Sequence, residues 1–441
     1  MGITQALYTG VTGLSVMSDS MSVVANNIAN ANAKGFKYDR AEFGDLLSQD
    51  LASAGGSSQL GRGARLTNVR TIHTQGGLAV TDRLTDMAVQ GAGFFIVDNP
   101  AGEISGGGGK FYTRVGSFNF DKEGYLSAAT GGRLMGYEAD QDGNMSTKLS
   151  TVRLVTNNLP PKQTSKIVFN VNLDSRVEVS PEEFDITRPE QTSDFVNTVD
   201  IFDSHGTKHS LTTYFKRIED DEGISWEFHA TVSGDEVTDA DEDEKIKEVA
   251  NGVVRFNAQG LLLAEEMGEE FTANFTKGAI PDQVFEFDFG KNIGVEEGNG
   301  VGVSTATAAK SITVFHSQNG YESGNIKTLR IDQDGKLKGY YTNGIQRTLG
   351  ALALATFENV DGLQKAGFNQ FYSSLESGAP RIGLPQTGTR GAIYASTLEE
   401  SNVDLAQQFV QMIMTQRGFQ ANSRSITTTD SMIEEVVNMK R

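Results

Sequence analysis

Apolar residues recur at alternating intervals of four and three through the first thirty residues, which predicts a helix over 1–30. Only Gly10 interrupts this apolar row. Residues with this spacing form one narrow stripe along a helix, and such a stripe packs against a partner helix. The predicted contact residues are Ile3, Leu7, Leu14, Met17, Met21, Val24 and Ile28.

A seven-residue repeat of apolar positions predicts a second long helix within 396–441. Ser401 is its predicted N-cap, with Asp404 as the acidic residue three positions later. Gly418 is a predicted soft spot inside the helix. The predicted contact residues are Leu398, Leu405, Met412, Phe419, Ile426 and Ile433, with Phe409 and Val437 in a second row.

The two stripes indicate that the terminal helices pack on each other and then on neighbouring copies of the chain. Two narrow stripes leave apolar surface uncovered on both helices, and further copies would cover it. The alternative is a two-helix coil within one chain that has no part in assembly.

The stretch VVANNIANANAKGFK, residues 23–37, is typical of a helix end. Asparagine amides compete for backbone hydrogen bonds, and glycine accepts the left-handed conformation that ends many helices. A phenylalanine then anchors the next segment, which we predict to be an extended linker over 31–70. The residues assigned to this helix exit are Asn26, Asn27, Asn30, Asn32, Gly35 and Phe36.

From about residue 64 the pattern changes to short segments rich in β-branched and aromatic residues, which predicts strands. A turn with Asp or Asn first and Gly fourth recurs in DKEGYL, DQDGNM, NAQGLL and DQDGKL, which predicts hairpins. The fold class is therefore mixed α and β with several domains. Long terminal helices of coiled-coil type, packed together, enclose nested, discontinuous and mainly antiparallel β domains. The predicted strand segments are MAVQGAGFFIVD, KFYTRVGSFNFD, KIVFNVNLD, NTVDIFD, SLTTYFKRI, SWEFHATV and QVFEFDFG.

Charge separates the middle of the chain from its ends. Residues 156–324 carry 32 acidic and 13 basic side chains, while the other residues carry 25 of each, which makes the whole chain −19. Such an acidic chain is not expected to bind nucleic acid, which needs a cationic surface. There is no cysteine and no apolar run long enough to span a membrane, so we expect neither disulfides nor membrane insertion. The N-terminus lacks the features of a secretory signal.

Several segments resemble motifs that bind cofactors or metals but lack residues that those motifs require. We therefore predict no catalytic, cofactor or metal site. DQDGNMSTKLST has Met145 and Thr151 where a calcium loop needs Gly and Glu. The segment GGGGK lacks the spacing of a phosphate-binding loop and is predicted to be a flexible loop. VQGAGFF lacks the third glycine of a dinucleotide site. His205 and His209 flank a predicted turn, and a solvated hairpin explains them better than a metal pair.

Three segments resemble the bacterial flagellar rod and hook axial proteins. VVANNIANANAKGFKYDRAEF looks like their N-terminal signature, and LEESNVDLAQQFVQMIMTQRGFQANSRSITTTDSMIEEVVNMKR looks like their C-terminal helix. TQGGLAVTDRLTDMAVQGAGFFIV and FYTRVGSFNFDKEGYL are similar to the β-rich segment that they share. DIFDSHGTKHSLTTYF, the segment 334–372 and the long acidic insert are most similar to the hook members of the family.

This resemblance implies a nested architecture. Residues 1–30 and 396–441 would form an inner helical tube, with 31–70 as a linker. An inner β domain would comprise 71–155 and 325–395, and the acidic 156–324 would face outward.

The resemblance also implies a structural subunit that polymerises into a curved, flexible tube and transmits torque as a universal joint. The partners would be further copies of the chain, the distal rod, the hook cap, the hook–filament junction proteins and the flagellar type III export apparatus. The location would be the hook, outside the cell and attached to the basal body. The alternatives are a distal-rod-like axial protein with an unusual insert, or an extracellular adhesin or enzyme on an assembly stalk.

Overall fold

The computed structural model describes residues 2–46, 49–53, 56–98, 109–140, 143–154, 158–219, 223–240, 244–268, 272–290 and 304–439. Most of the predicted GGGGK loop and the middle of the DQDGNM turn lie outside these residues. The chain divides into two compact units. The first comprises Met1–Val155, Thr328–Tyr340 and Gln346–Arg441, and the second comprises Thr156–Lys327 and Tyr341–Ile345.

Two long helices stand at the ends of the chain, and strands dominate between them. In the first half the elements are α1 (Gly2–Ala29), β1 (Asp39–Asp45), β2 (Gln49–Ser53), β3 (Gly56–Leu60), β4 (Ala64–Thr71), β5 (Leu78–Val80), β6 (Met87–Gln90), β7 (Phe94–Asp98), β8 (Lys110–Thr113), β9 (Phe118–Phe120), β10 (Leu126–Ala128), β11 (Arg133–Ala139), β12 (Met145–Thr151), β13 (Asn158–Leu159), β14 (Lys166–Asp174), α2 (Pro189–Thr192), β15 (Phe195–Phe202) and β16 (Lys208–Ile218).

The second half continues in the same style and ends with the longest helix. Its elements are β17 (Ile224–Ser233), β18 (Ile246–Phe256), β19 (Leu262–Met267), β20 (Glu286–Asp288), β21 (Thr305–Thr307), β22 (Ile312–Gln318), β23 (Gly324–Ile331), β24 (Lys336–Tyr341), β25 (Gln346–Leu352), β26 (Leu354–Thr356), β27 (Gln364–Gly367), β28 (Gln370–Tyr372), β29 (Arg381–Gly383), β30 (Ala392–Ala395), β31 (Thr397–Glu399) and α3 (Leu405–Asn438). Short 3₁₀ turns occur at Gly234–Glu236 and Val360–Gly362.

The first unit is built on an antiparallel sheet with the strand order β25-β11-β7-β8-β28-β27. Its core contains Met87, Phe95, Phe118 and Leu354, all fully buried. Short strand pairs join the chain ends to this body, since β31 pairs with β5 and β30 pairs with β6. These pairs place the segment before α3 directly against the β body.

The second unit has a five-stranded antiparallel meander, β15 to β19, and a smaller sheet around β14. Aromatic rings fill the space between them, with Phe169, Phe215, Trp226 and Phe289 fully buried. The alternating burial of β15 and β16 follows from their alternating sequence, because successive side chains of a strand point to opposite faces. This unit contains the whole acidic segment, 156–324.

Each predicted strand segment contains at least one strand, and the recurring turn has the predicted backbone. Its fourth-position glycines, Gly124, Gly143, Gly260 and Gly335, have φ between +76° and +84°. The first residue stabilises the turn as well. The Asp121 carboxylate accepts hydrogen bonds from the backbone amides of Glu123 and Tyr125.

Two sequence predictions at the start of the C-terminal helix are wrong in detail. The C-terminal helix begins at Leu405 with Asp404 as its N-cap, and the Asp404 side chain accepts a bond from the Gln407 amide. Ser401 is therefore not the cap, and Leu398 lies on strand β31 instead of the helix. The segment 31–70, which we predict to be an extended linker, has extended backbone in the form of paired strands, with β1 paired to β4 and β2 paired to β3.

Candidate assembly surface

The two terminal helices lie side by side and run antiparallel. The contacts proceed in opposite directions along the two sequences, since Gly10 lies beside Ile426, Gly13 beside Asn422 and Met17 beside Gly418. A Cβ atom built on Gly13 would lie 2.6 Å from Nδ2 of Asn422, and one on Gly418 would lie 2.9 Å from Sδ of Met17. The glycines therefore set how closely the helices approach, and Gly418 is a contact point.

Small and polar side chains occupy much of the helix contact. The hydroxyl groups of Ser20 and Thr415 lie 3.4 Å apart, and both residues are buried. Where α1 ends and α3 begins, the side-chain amide of Asn27 donates to Oε1 of Gln408 at 3.0 Å. On α3 the buried positions Gln408, Thr415 and Thr429 fall on one heptad row that the apolar repeat did not predict.

The predicted contact residues divide into three groups. Those on the shared side of the pair are Leu7, Leu14, Met17, Met21, Val24, Ile28, Met412, Ile426 and Ile433, buried or half-buried. Those exposed to solvent are Leu405, Phe409, Phe419 and Val437. The side chain of Ile3 lies outside the described part, and Leu398 is buried in the β body, where β31 pairs with β5.

The C-terminal helix presents an apolar face to solvent. Val410, Ile413 and Met414 are each about half exposed or more, and they lie on the side of α3 opposite to Gln408 and Thr415. Solvated helices normally carry polar residues on such a face. An exposed apolar patch of this kind is typical of a surface that another protein covers.

A buried ion cluster connects the chain segments next to the two helices. Nζ of Lys37 lies 2.5 Å from Oε1 of Glu399, and Nη1 of Arg114 lies 3.4 Å from Oε2 of the same carboxylate. All three side chains are buried. We call this cluster the clasp. It lies where the chain leaves α1 and where β31 leads toward α3.

Backbone groups form further hydrogen bonds with the clasp. Lys37 also donates to the carbonyl of Thr74 at 2.6 Å, and the Gly76 amide donates to Glu399 at 2.9 Å. Arg114 donates to the carbonyls of Val89 and Gly91. Burial lowers the pKa of Lys37 and of Arg114, and the Glu399 carboxylate opposes this effect in both cases.

Specific hydrogen bonds hold the asparagine-rich helix exit next to the clasp. The Asn27 carboxamide accepts from the Asp39 amide and donates to the Asp39 carbonyl, so it holds the start of β1. Asn30 donates to the Asn26 carbonyl and closes the last turn, while Asn32 is exposed. The helix-exit residues Gly35 and Phe36 follow, both buried.

Gly35 has a φ of +66°, and its amide donates to the Glu399 carbonyl at 2.8 Å. A Cβ atom at this position would lie 2.8 Å from the Val115 amide nitrogen. Glycine is therefore required for close approach as well as for backbone conformation. The glycine brings the N-terminal segment against β31.

Asn402, predicted on the C-terminal helix, lies before it and works in this junction. Its side-chain oxygen accepts from the Tyr38 amide at 2.8 Å. Its amide group donates to the carbonyls of Ile72 and Thr74. Sequence reasoning missed Lys37, Arg114 and Glu399 completely, because no local pattern distinguishes them from other charged residues.

The described part of the chain shows no metal site and no membrane-spanning helix. Its His, Asp and Glu residues form no group of three or more that could hold a metal ion. No described helix is both long and apolar enough to cross a membrane. His209 is buried, in contrast to the predicted solvated hairpin, with Nδ1 2.8 Å from Glu236 and its ring stacked on Phe275.

Comparison with known proteins identifies the family. The chain is 34% identical over 479 aligned positions to the flagellar hook protein FlgE of Treponema pallidum, covering 99% of this chain and all of the relative. The chain belongs to the flagellar hook protein family. The hook protein of Borreliella burgdorferi is 33% identical, with 99% of each chain covered.

Profiles of individual hook and rod domains match along the same chain. The flagellar hook protein FlgE/F/G D1 domain matches 88–195, and the flagellar basal body protein FlaE D2 domain matches 172–321. The ends match the flagella basal body rod protein at 7–37 and the FlgEFG C-terminal region at 395–439. A crystal structure of the Helicobacter pylori hook protein FlgE2 has a similar fold, with a TM-score of 0.52 and 16% identity over 73% of this chain and all of that one.

These relationships place the protein in the bacterial flagellum, in the hook attached to the basal body. It is a structural subunit, and its family is not a family of enzymes. Hook relatives align with nearly the whole chain, and this favours a hook protein over the distal-rod alternative.

Proposed function

We propose that copies of this chain polymerise into the curved tube of the hook through the terminal helices, arranged as a coiled-coil-type pair. The observation that carries the proposal is the solvent-exposed apolar face of α3, formed by Val410, Ile413 and Met414. Within one chain α3 uses a different face to contact α1. The exposed face is thus free for neighbouring copies, and burying it stabilises the polymer.

The predicted domains have separate roles in this proposal. Residues 1–30 and 396–441 line the tube, 31–70 connect the helices to the β shell, and 71–155 with 325–395 form that shell. The acidic 156–324 faces outward and adjusts contacts between neighbours as the tube bends. Discrete packing states at such contacts let a tube act as a universal joint.

The partners follow from the position of the hook in the flagellum. Besides further copies of the chain, they are the distal rod, the hook cap, the hook–filament junction proteins and the type III export apparatus. No cofactor and no enzymatic activity belong to this proposal.

A charge on the exposed helical face tests the polymerisation surface. We expect Ile413→Asp to leave the β units folded and to abolish hooks, because the aspartate charge would be buried in an apolar contact without a partner. Gln416→Asp is the matched control, since it places the same side chain at an exposed polar position one turn away. Hooks would be counted by electron microscopy of isolated basal bodies. Normal hooks from Ile413→Asp would refute this surface.

A further inference from the structure

A tight turn in the first unit presents an exposed aromatic ring in an unfavourable backbone conformation. Strands β27 and β28 are joined through Phe368 and Asn369, whose φ angles are +51° and +58°. Two successive residues with positive φ are the pattern of a type I′ hairpin turn, where Asn, Asp and Gly are preferred. A phenylalanine is unfavourable there because its Cβ atom crowds the backbone carbonyl.

Within the described chain, packing of the Phe368 ring does not compensate for its unfavourable backbone conformation. The Phe368 side chain is 83% exposed. Left-handed conformations of bulky residues persist where the surrounding structure holds them, and they concentrate at functional sites. The unfavourable residue therefore points to a contact that lies outside the single chain.

The turn is held rigidly, as an anchor for a partner requires. The Thr113 hydroxyl donates to the Asn369 carbonyl at 2.8 Å, and the Asn369 amide donates to the Lys34 carbonyl at 3.2 Å. Rigid, exposed aromatic side chains lose little conformational entropy on binding and are frequent hot spots of interfaces. Phe368 is exposed, and the bonds made by Asn369 hold the turn that carries it.

The surface beside the ring is continuous with the end of α1. A cavity of about 200 Å³ lies next to the turn, and Asn26, Asn30 and Phe36 of the helix exit line it together with Phe368. Because α1 ends at this cavity, a copy that packs along the helices also reaches the turn. This continuity identifies the occupant as a second copy of the chain.

We propose that Phe368 is an anchor that packs into a second copy of this chain in the assembled hook. The inference rests on the proposed polymerisation. It adds a second contact between copies, made by the β shell, to the contact made by the terminal helices. It assigns the exposed ring, its unfavourable backbone and the adjacent cavity to one interface.

The absence of cysteine from the chain allows a direct test. Hooks would be isolated from cells that express Phe368→Cys, and the rate of modification by a maleimide would be compared between hooks and monomer. We expect modification to be at least tenfold slower in hooks. Ser180→Cys, at an exposed position of the second unit, reports the general access of the reagent. Equal rates for Cys at 368 in hooks and monomer would overturn the proposal.

A second pair of variants separates the contact from the turn. Phe368→Gly suits the left-handed conformation, so we expect an unchanged or higher melting temperature of the monomer together with at least a tenfold lower yield of hooks. Asn369→Gly relieves the same turn but keeps the ring, and its yield should match that of the parent chain. A parental yield from Phe368→Gly would contradict the anchor. If Ile413→Asp forms normal hooks while Phe368→Gly does not, the helical surface is wrong and the anchor stands.

Discussion

Nζ of Lys37 lies 2.5 Å from Oε1 of Glu399, with both side chains buried and the two residues 362 positions apart in the sequence. The first residue comes shortly after α1, and the second comes shortly before α3. A buried charge that loses its partner is strongly destabilising, whereas the intact pair contributes little net stability. We therefore expect the clasp to act mainly by excluding arrangements in which the two segments separate.

Removing the carboxylate from the clasp should be more harmful than removing the lysine. Glu399→Gln leaves Lys37 and Arg114 buried without a counter-charge, so we expect unfolding of the first unit to become easier by about 3–5 kcal/mol. Lys37→Met leaves Glu399 beside Arg114 and should have a smaller effect. Urea denaturation of the monomer measures both changes.

The neighbouring pair Lys34–Glu400 is a matched control. Its N–O distance is 3.2 Å, but both side chains are about half exposed. Glu400→Gln should change the free energy of unfolding by less than about 1 kcal/mol. Similar losses from Glu399→Gln and Glu400→Gln would show that burial of the clasp is not what matters.

Asn402 should control protection of the Tyr38 amide. In Asn402→Ala the Tyr38 N–H loses its acceptor, and we expect its hydrogen exchange to accelerate markedly, since an unmade buried hydrogen bond costs about 1–3 kcal/mol. Asn402→Asp keeps an acceptor oxygen and serves as the control for this bond. Exchange measured by NMR or mass spectrometry distinguishes the two. Equal acceleration in both variants would mean that the donated bonds to Ile72 and Thr74 hold the segment.

Enlarging a helix-contact glycine should separate the terminal helices. Gly13→Val places atoms where Asn422 already lies, and we expect the helical pair to lose about 1–3 kcal/mol through overpacking. Ser15→Val introduces the same side chain at an exposed position of α1. Far-ultraviolet circular dichroism during thermal unfolding compares the two. An unchanged helix signal for Gly13→Val would contradict the close packing.

The second unit should lose stability as the pH rises. Nδ1 of His229 lies 2.6 Å from Glu248 and Nε2 lies 3.3 Å from Glu227, while Phe184 stacks on the ring. Burial lowers the pKa of His229, but the two carboxylates outweigh it and raise the pKa to about 9. Lys216 and Tyr214 of the adjacent strand pair with Glu227 and His229 in register.

Because the folded-state pKa exceeds the ordinary value of 6.5, the stabilisation is complete below pH 6.5. It is lost as the pH rises through about 9. Thermal unfolding followed by the fluorescence of Trp226, at pH values from 6 to 10, should show this decline. His229→Gln should remove the decline, and the same slope in the variant would assign it to other groups.

The sequence predicted the elements better than their contacts. Helices α1 and α3 follow from the apolar repeat, because helical periodicity is a local property. Within one chain, Gly10, Gly13 and Gly418 allow a close approach at which Asn422 lies in the helix contact and Thr415 is buried, whereas Leu405 and Phe419 are exposed and remain predicted contacts with neighbouring copies. Hydrophobicity alone does not detect this preference for small residues.

The clasp could not be predicted from local patterns. The chain has 57 acidic side chains, and no spacing rule indicates that Glu399 meets Lys37. The pairing depends on β31 joining β5 and on the left-handed Gly35, both of which are tertiary features. Gly35 of the helix exit was the one local signal of this close approach.

The antiparallel register of the helical pair also determines when α1 and α3 can pair during synthesis of the chain. Gly10 lies beside Ile426 and Asn27 beside Gln408, so α1 finds its partner helix only after the whole β region between the two helices has been synthesised. With internal glycines, α1 alone is a marginal helix in water. A chain that stops short therefore cannot pair its first helix, and only finished subunits present the paired helices to the growing tube.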